Sequence, residues 1–451
     1  MKQVTRRTLL VLLPVAILAL GVLFFLAEYV LHGAAWAAFS ANDTTHAQGR
    51  LTSGQILDRS GQVLYDAGSG SYAEDWITRI ATLHAVGDGS GNIGTAARSQ
   101  YAQRMVGFSP ITGAHGKGNK LYLTLDAEVC ETAYSLLAGH KGVVGVYNYE
   151  TGDILCMVSA PSFDPAWPPE IRDGDSAYEG VYLNRLLSAT FTPGSVFKTV
   201  TTAAALEKLD GVAERTFTCE GSYRIGDDVI TCPHVHGQQT LRDAFANSCT
   251  CVYAQLAMEL GGRTLRSYAD KAGLLSSMDV SGVATAAGSF TVGESYELGW
   301  SGVGQYNDLV NPCAMMVLMG AIARDGTPVL PRVLYRETGS LGLPHIVPSA
   351  DTGSAVFRRD TCRALREMLR NNVEAGYGQS HFGDLAICAK SGTAEVEPGK
   401  APHAWFNGFL DDPKHPLAFV VLVENGGSGA TVAGNIASQV LQKAVERMDA
   451  N

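Results

Sequence analysis

From Thr8 to Ala27 the chain runs for twenty residues without a charge, rich in Leu, Val and Ala. A run of that length spans the hydrocarbon core of a bilayer. Lipid offers the backbone no hydrogen-bond partner, so the segment must satisfy its own amides as a helix, with Pro14 tolerated inside it. Lys2, Arg6 and Arg7 precede the run. Positive charge holds that end in the cytoplasm and sends the remainder to the extracytoplasmic face. The expected layout is a cytoplasmic tail over residues 1–7 and a transmembrane helix over 8–30, in a single-pass protein of the plasma membrane. A cleaved signal peptide competes, because Ala35-Trp36-Ala37 resembles a cleavage site. The apolar run exceeds a usual signal-peptide core, which favours the uncleaved anchor.

The remaining chain is long enough, in a protein of 451 residues with 46% hydrophobic residues, to bury a large core in more than one domain. A formal net charge of −10 and the lack of any Lys/Arg block beyond the first seven residues argue against nucleic acid as a partner. Residues 31–120 read as a small juxtamembrane pedestal. Within it, Gln55 to Leu64 reads as two strands about a Ser60-Gly61 turn.

Residues 121–451 form the main domain. Asp126 to Leu137 is a helix candidate. Val143 to Tyr147 and Ile154 to Val158 read as a hairpin about Glu150-Thr151-Gly152-Asp153. Strands recur near the end, at Leu385 to Ala389, Ala404 to Leu410 and Leu417 to Val423, before a closing helix from Thr431 to Met448. Residues 180–330 read mostly as helices. The expected fold is mixed α+β: one antiparallel sheet built from both ends of the domain, flanked by helices, with an all-helical insertion.

Three short stretches carry chemistry. In Thr192-Pro193-Gly194-Ser195-Val196-Phe197-Lys198, Pro193 and Gly194 stop what precedes, and the helix that follows ends near Asp210-Gly211. Ser195 then falls at a helix N-terminus, with the Lys198 amine one turn away on the same face. A hydroxyl nucleophile, an amine base and N-terminal backbone N–H groups suit acyl transfer. Thr240 is an N-cap candidate for a helix that runs into Asn247-Ser248-Cys249-Thr250, where Ser and Asn favour a bend. The strand ending at Ala389 leads into Lys390-Ser391-Gly392-Thr393, where Gly392 permits close approach of a substrate backbone. Lys390 is the one lysine followed by Ser or Thr and then Gly, and Lys198 the one with Ser three residues before it.

In that order, Ser195-x-x-Lys198, Ser248-x-Thr250 and Lys390-Ser391-Gly392 resemble the motif set of penicillin-recognising acyl-serine enzymes, the penicillin-binding proteins and serine β-lactamases. The flanks narrow the resemblance to class B penicillin-binding proteins. They include Asn184-Arg185, Ala246-Asn247-Ser248-Cys249, Gly302-Val303-Gly304-Gln305, Asn311-Pro312, His403 to Phe409 and Glu424 to Gly427, together with Asp58-Arg59-Ser60-Gly61 in the pedestal. Residues 121–451 would then be a penicillin-binding transpeptidase domain with a β-lactamase/transpeptidase-like fold. The resemblance implies that Ser195 attacks the D-Ala-D-Ala terminus of a peptidoglycan stem peptide, with Lys198 as base and Ser248 as proton relay. It implies an oxyanion hole from the backbone N–H groups of Ser195 and Thr393. Thr250, Lys390, Ser391, Gly392 and Thr393 would bind substrate, and β-lactams would acylate Ser195. No metal or organic cofactor is implied. A glycosyltransferase of the SEDS type is the implied membrane partner. One departure is Thr250, where the family usually has Asn. The alternatives are a β-lactamase or penicillin sensor of the same fold, for which no deacylation base is assignable although Glu residues between 160 and 180 leave the option open, and a non-catalytic wall-synthesis scaffold.

The nine cysteines are scattered and odd in number. Cys249-x-Cys251 is too short for a Cys-x-x-Cys pair, and Cys232, His234 and His236 make only a weak metal cluster. Cys219 and Cys232 bracket a Gly-containing segment that a disulfide would close in an exported domain.

Overall fold

The computed structural model describes residues 2–39, 41–42, 46–47, 50–113, 118–339, 342–345, 347, 349–397 and 399–450. Met1, which opens the expected cytoplasmic tail, and the side chains of residues 2–7 lie outside that description.

Helix α1 (Lys2–Ala37) contains the apolar run, and its stretch Leu10–Ala37 is long and apolar enough to cross a membrane. At 1.5 Å per residue those 28 residues reach about 42 Å, more than the roughly 30 Å of hydrocarbon. The helix therefore outlasts the expected end at residue 30. Its last turns stand on protein: Tyr29 packs edge-on against Phe108 at 5.4 Å, Gly33 lies against the same ring, and Ala37 is buried.

The pedestal hairpin forms as expected, with β1 (Gln55–Leu57) antiparallel to β2 (Val63–Asp66). The Asp58 carboxylate accepts from the backbone N–H groups of Ser60 and Gln62, which fixes the turn. Strand β3 (Lys120–Leu123) runs parallel to β1, and Leu334–Thr338 pairs antiparallel with β3, giving a six-stranded sheet. The segment Leu334–Thr338 was not anticipated as a strand; its polar, half-exposed alternation is short and weak.

The main sheet has five antiparallel strands. In chain order they are β4 (Gly142–Asn148), β5 (Ile154–Ala160), β6 (Ile387–Ala394), β7 (His403–Leu410) and β8 (Leu417–Val423). Their spatial order is β6-β7-β8-β4-β5, so both ends of the domain build one sheet as expected. Asn148 makes the first turn by accepting from the N–H groups of Glu150 and Thr151. Every residue of β8 is buried, because helices cover both faces.

On one side lie α2 (Ala127–Leu137), N-capped by Asp126, and the C-terminal helix Gly434–Ala450, whose Arg447 bonds Asp126 at 3.0 Å. That helix starts three residues later than expected, after a π-helical turn over Gly429–Ala433. On the other side Asn311 caps the apolar helix Pro312–Ala323, and its side-chain amide donates to the carbonyls of Leu186, Leu187 and Ala189.

The insertion carries α3 (Lys198–Lys208), α4 (Leu241–Ala246), α5 (Thr250–Leu260) and Tyr296–Val303. Thr240 caps α4 through a reciprocal box with Asp243. The insertion is not wholly helical. Thr216–Cys219 pairs with Gly237–Thr240, and between them Ser222–Ile225 pairs with Asp228–Thr231. These strands are only four residues long and largely polar and exposed, too short for the alternation in Thr216–Cys219 and Ser222–Ile225 to stand out in the sequence.

Candidate active site

Ser195 sits in a tight helical turn, Gly194–Phe197, that leads straight into α3. Gly194 adopts φ +57°, a conformation that favours glycine, and its N–H donates to the Gly304 carbonyl at 2.8 Å. The turn leans on the edge strand β6. A Cβ on Gly194 would lie 2.7 Å from the Thr393 carbonyl oxygen, and one on Gly392 would lie 3.0 Å from the Pro193 oxygen. Trp405 Nε1 donates to the Thr192 carbonyl at 3.0 Å, which pins the turn to β7 as well. Gly392 thus also admits the nucleophile turn itself.

One turn into α3, Lys198 is fully buried. Its Nζ donates to the Ser248 carbonyl at 2.5 Å and lies 3.1 Å from the Ser248 hydroxyl. Lys390, equally buried on β6, reaches the same hydroxyl at 3.1 Å and the Ser391 carbonyl at 3.0 Å. Strand β6 does not stop at Ala389; pairing with β7 carries it through Lys390-Ser391-Gly392 to Ala394. Burial pushes the Lys198 amine down to about 8. Burial, and then repulsion from Lys198, pushes the Lys390 amine well below the ordinary lysine range. Desolvation favours the neutral form of each amine, and the short distance to the shared hydroxyl disfavours two charges at once.

Ser248 holds φ +52° at the bend between α4 and α5, an uncommon conformation for a residue with a side chain. That bend turns its hydroxyl and its carbonyl toward the lysines. Thr250 opens α5 and is nearly buried. Ser391 accepts from the Tyr377 hydroxyl at 3.0 Å, and its N–H donates to Tyr377 at 2.8 Å, so its side chain is engaged away from the lysines. Thr393 is exposed, and its carbonyl accepts from the Gln305 side-chain amide at 3.4 Å.

The three sequence stretches therefore meet. Lys198, Ser248 and Lys390 are joined by hydrogen bonds, and the Ser195 turn packs on the strand that carries Lys390 and Thr393. Tyr377 was missed; it ends a π-helical segment, Asn372–Tyr377, with no periodic signal to announce it. Arg185 and Glu424, from separate quoted flanks, form an ion pair of 2.6 Å with Arg185 buried. Glu170 pairs with Arg172 and Glu179 with Lys141.

Residues 142–442 match the family described as Penicillin binding protein transpeptidase domain. The chain belongs to that family. This penicillin-binding protein is 29% identical over 381 residues to the peptidoglycan D,D-transpeptidase PbpA of Mycobacterium tuberculosis, across 77% of its own length and 75% of the relative's. It matches the D,D-transpeptidase domain of a peptidoglycan glycosyltransferase from Eggerthella lenta with a TM-score of 0.74 at 25% identity, covering 87% of this chain and 98% of that one. An imipenem acyl-enzyme complex of penicillin-binding protein A from Mycobacterium tuberculosis shares the fold with a TM-score of 0.74, at 24% identity and the same coverage of 87% and 98%. These likenesses make it a class B penicillin-binding protein with the mixed α+β transpeptidase fold.

The cysteines need a correction. Cys219 and Cys232 are free thiols, and among the described residues Cys219, Cys232, His236 and Cys249 converge, with ligand atoms all within 4.8 Å of one another. The weak trio read from sequence contributes Cys232 and His236 to this group, while His234 stays outside it.

Proposed function

We propose that this protein is a peptidoglycan D,D-transpeptidase that works through an acyl-enzyme on Ser195 and is inactivated by β-lactams at the same residue. The observation that carries the reading is the Ser248 hydroxyl held between two buried amines, beneath the turn that presents Ser195. The Ser195 hydroxyl attacks the carbonyl between the two terminal D-alanines of a stem peptide. Neutral Lys198 takes the proton, and the Ser248 hydroxyl relays it to the leaving D-alanine amine. The backbone N–H groups of Ser195 and Thr393 face the tetrahedral oxyanion. Lys390 and the Thr393 hydroxyl hold the substrate's terminal carboxylate, with Thr250, Ser391 and Gly392 lining the register. The amine of a second stem peptide then attacks the ester, forming the cross-link and freeing Ser195.

The β-lactamase alternative needs a base to activate deacylating water. The two glutamates between 160 and 180, Glu170 and Glu179, are exposed and pair on the surface with Arg172 and Lys141, and no contact joins either to Lys198, Ser248 or Lys390 among the described residues. Intact mass measurement after penicillin exposure tests the reading. A persistent adduct mapped to Ser195, absent in Ser195→Ala, is expected. Rapid loss of the adduct would identify a β-lactamase, and no adduct together with wild-type complementation by Ser195→Ala would identify a scaffold.

The same reading assigns residues 1–7 to the cytoplasm, 8–30 to the membrane, 31–120 to a pedestal and 121–451 to the extracytoplasmic catalytic domain. The apolar side chains along α1 are exposed, which suits an anchor and a helix contact with a SEDS-type glycosyltransferase.

A further inference from the structure

Beyond its first residue, His403, strand β7 carries a single polar side chain, Asn407, and that side chain is fully buried. In the β6–β7 ladder Asn407 lies directly across from Lys390, and the next pair on the same face is Gly392 with Trp405. Residues two apart on a strand share a face, and this face is the one on which the Ser195 turn packs at Gly392. Directly opposed residues of an antiparallel pair hold their Cβ atoms about 4.5–5.5 Å apart. Neither Oδ1 nor Nδ2 of Asn407 has a hydrogen-bond partner among the described residues. A carboxamide withdrawn from water normally has its polar atoms bonded.

The two active-site amines have matching contacts. Lys198 donates to one carbonyl, that of Ser248, and Lys390 to one carbonyl, that of Ser391, and the two share the Ser248 hydroxyl. Each also lies over one ring, Lys198 at 5.2 Å from Tyr253 and Lys390 at 5.8 Å from Phe245. The proposed reaction nevertheless needs Lys198 neutral and Lys390 charged. The ionisable groups on the elements around Lys390 are Lys198, Cys249 beside Ser248, Tyr377 behind Ser391, Arg370 at the Ile387 carbonyl, Glu374 and His403. Glu374 is exposed and paired with Arg370, so no carboxylate holds the Lys390 proton. An ammonium has three N–H donors, and among the described residues two of those on Lys390 have acceptors.

We propose that Asn407 is a positioning residue that keeps the positive charge on Lys390, through one buried water that accepts the third Lys390 N–H and donates to Asn407 Oδ1. A water of this kind serves polar groups that stand too far apart to bond directly. An acceptor aimed at the amine favours its charged form, so the proton shared between the two lysines settles on Lys390. Lys198 is then left neutral to take the Ser195 proton, and Lys390 meets the substrate carboxylate already charged. The assignment deepens the transpeptidase reading and rests on it for the roles of the two lysines.

The test uses the full chain purified in detergent, with isotope-labelled lysine ε-carbons. The Lys390 resonance is identified by its absence from Lys390→Ala, and its titration reads the proton on this amine without any penicillin. Asn407→Leu keeps the branched shape and removes the acceptor, so the Lys390 titration should move down by about one pH unit. Asn407→Asp places a carboxylate at the same point and should move it up. Penicillin gives a second reading, because the free enzyme presents Lys390 to the ligand's carboxylate. Asn407→Leu should weaken the pre-covalent dissociation constant of a fluorescent penicillin about tenfold, while the limiting acylation rate changes by less than about threefold, since the bound carboxylate restores the charge on Lys390. A Lys390 titration that stays in place in both variants would overturn the proposal. So would a shift in the same direction in both, which marks damage to packing. Should Asn407→Leu fail to fold, the titration in Asn407→Asp decides alone. A protein whose Lys390 titration moves in opposite directions in the two variants, but which penicillin never labels, would sink the transpeptidase reading and leave the Asn407 assignment standing.

Discussion

Lys198 and Lys390 point their amines at one oxygen, the Ser248 hydroxyl, each from 3.1 Å. A hydroxyl has one proton to give and two lone pairs to receive. It can donate to a neutral amine and accept from an ammonium at the same time, which matches a pocket that holds one of the two lysines charged. Replacing Ser248 by Ala removes the bridge and leaves two buried amines without their common partner. The expected outcome is a loss of acylation of about 10²–10⁴-fold, the range of a general acid–base group, with the variant still folded. Stopped-flow labelling with a fluorescent penicillin measures it, and a loss below threefold would exclude Ser248 from proton transfer.

Burial brings the Lys198 amine down to about 8. If its neutral form is the base, the acylation rate climbs as pH rises toward about 8 and levels above it. The same shift couples to stability. The unfolded chain holds a proton on this lysine up to the ordinary value near 10.4, so between about pH 8 and pH 10 the unfolded state binds more protons and folding stability rises with pH. A labelling rate measured across this interval gives the kinetic midpoint. A midpoint near 10 would mean that Lys198 is not the base.

Much of this architecture is legible in the sequence because it rests on local signals. The apolar run of α1, the short apolar runs of β4, β5, β7 and β8, and the Asn148 turn each act within a few residues. The nucleophile turn is readable for the same reason, since Pro193 and Gly194 punctuate it and Lys198 lies one turn on. What escapes is assembled by contacts distant in sequence. The extension of β6 through Lys390 depends on its ladder to β7, the hairpins at 216–240 depend on packing against α5, and the cysteine group depends on both. Tyr377 bonds Ser391 only because a π-helical turn swings it back onto the strand.

Gly392 has a reason that a local pattern cannot give. A Cβ there would meet the Pro193 oxygen and Val196 Cγ1 at 3.0 Å and Trp405 Cβ at 3.1 Å, tighter than ordinary contact on three sides. The softest of these neighbours is the turn that carries Ser195. Gly392→Ala should therefore move the nucleophile by a few tenths of an ångström and slow acylation on the order of ten- to a hundredfold, while unfolding midpoints change little. Equal damage to stability and rate would place the strain in the sheet instead.

Asp308 is buried, neither of its carboxylate oxygens has a hydrogen-bond partner among the described residues, and desolvation raises its carboxyl to about 7. The folded state then keeps a proton that the unfolded chain gives up near the ordinary value of about 4. Between about pH 4 and pH 7 the native state binds more protons, so stability falls as pH rises, by at most about 4 kcal/mol. Asp308→Asn keeps the neutral shape and should flatten this part of the urea-midpoint profile. An unchanged slope in the variant would assign the pH dependence to other groups.

Thr250 stands where the family usually has Asn, at the first position of α5 and close to the Ser248 bend. A carboxamide offers both a carbonyl acceptor and an amide donor on a longer stem, while a hydroxyl reaches less far and offers a single oxygen. Thr250 is nearly buried, so a longer side chain must extend toward the opening of the site or displace its neighbours. If the opening accepts it, Thr250→Asn should raise acylation by a fluorescent penicillin severalfold, because the added amide holds the substrate's acyl side chain before Ser195 attacks. The gain should appear chiefly in the second-order labelling rate, with the pH midpoint set by Lys198 unmoved. A slower variant with a lowered unfolding midpoint would show instead that this pocket is built around the threonine.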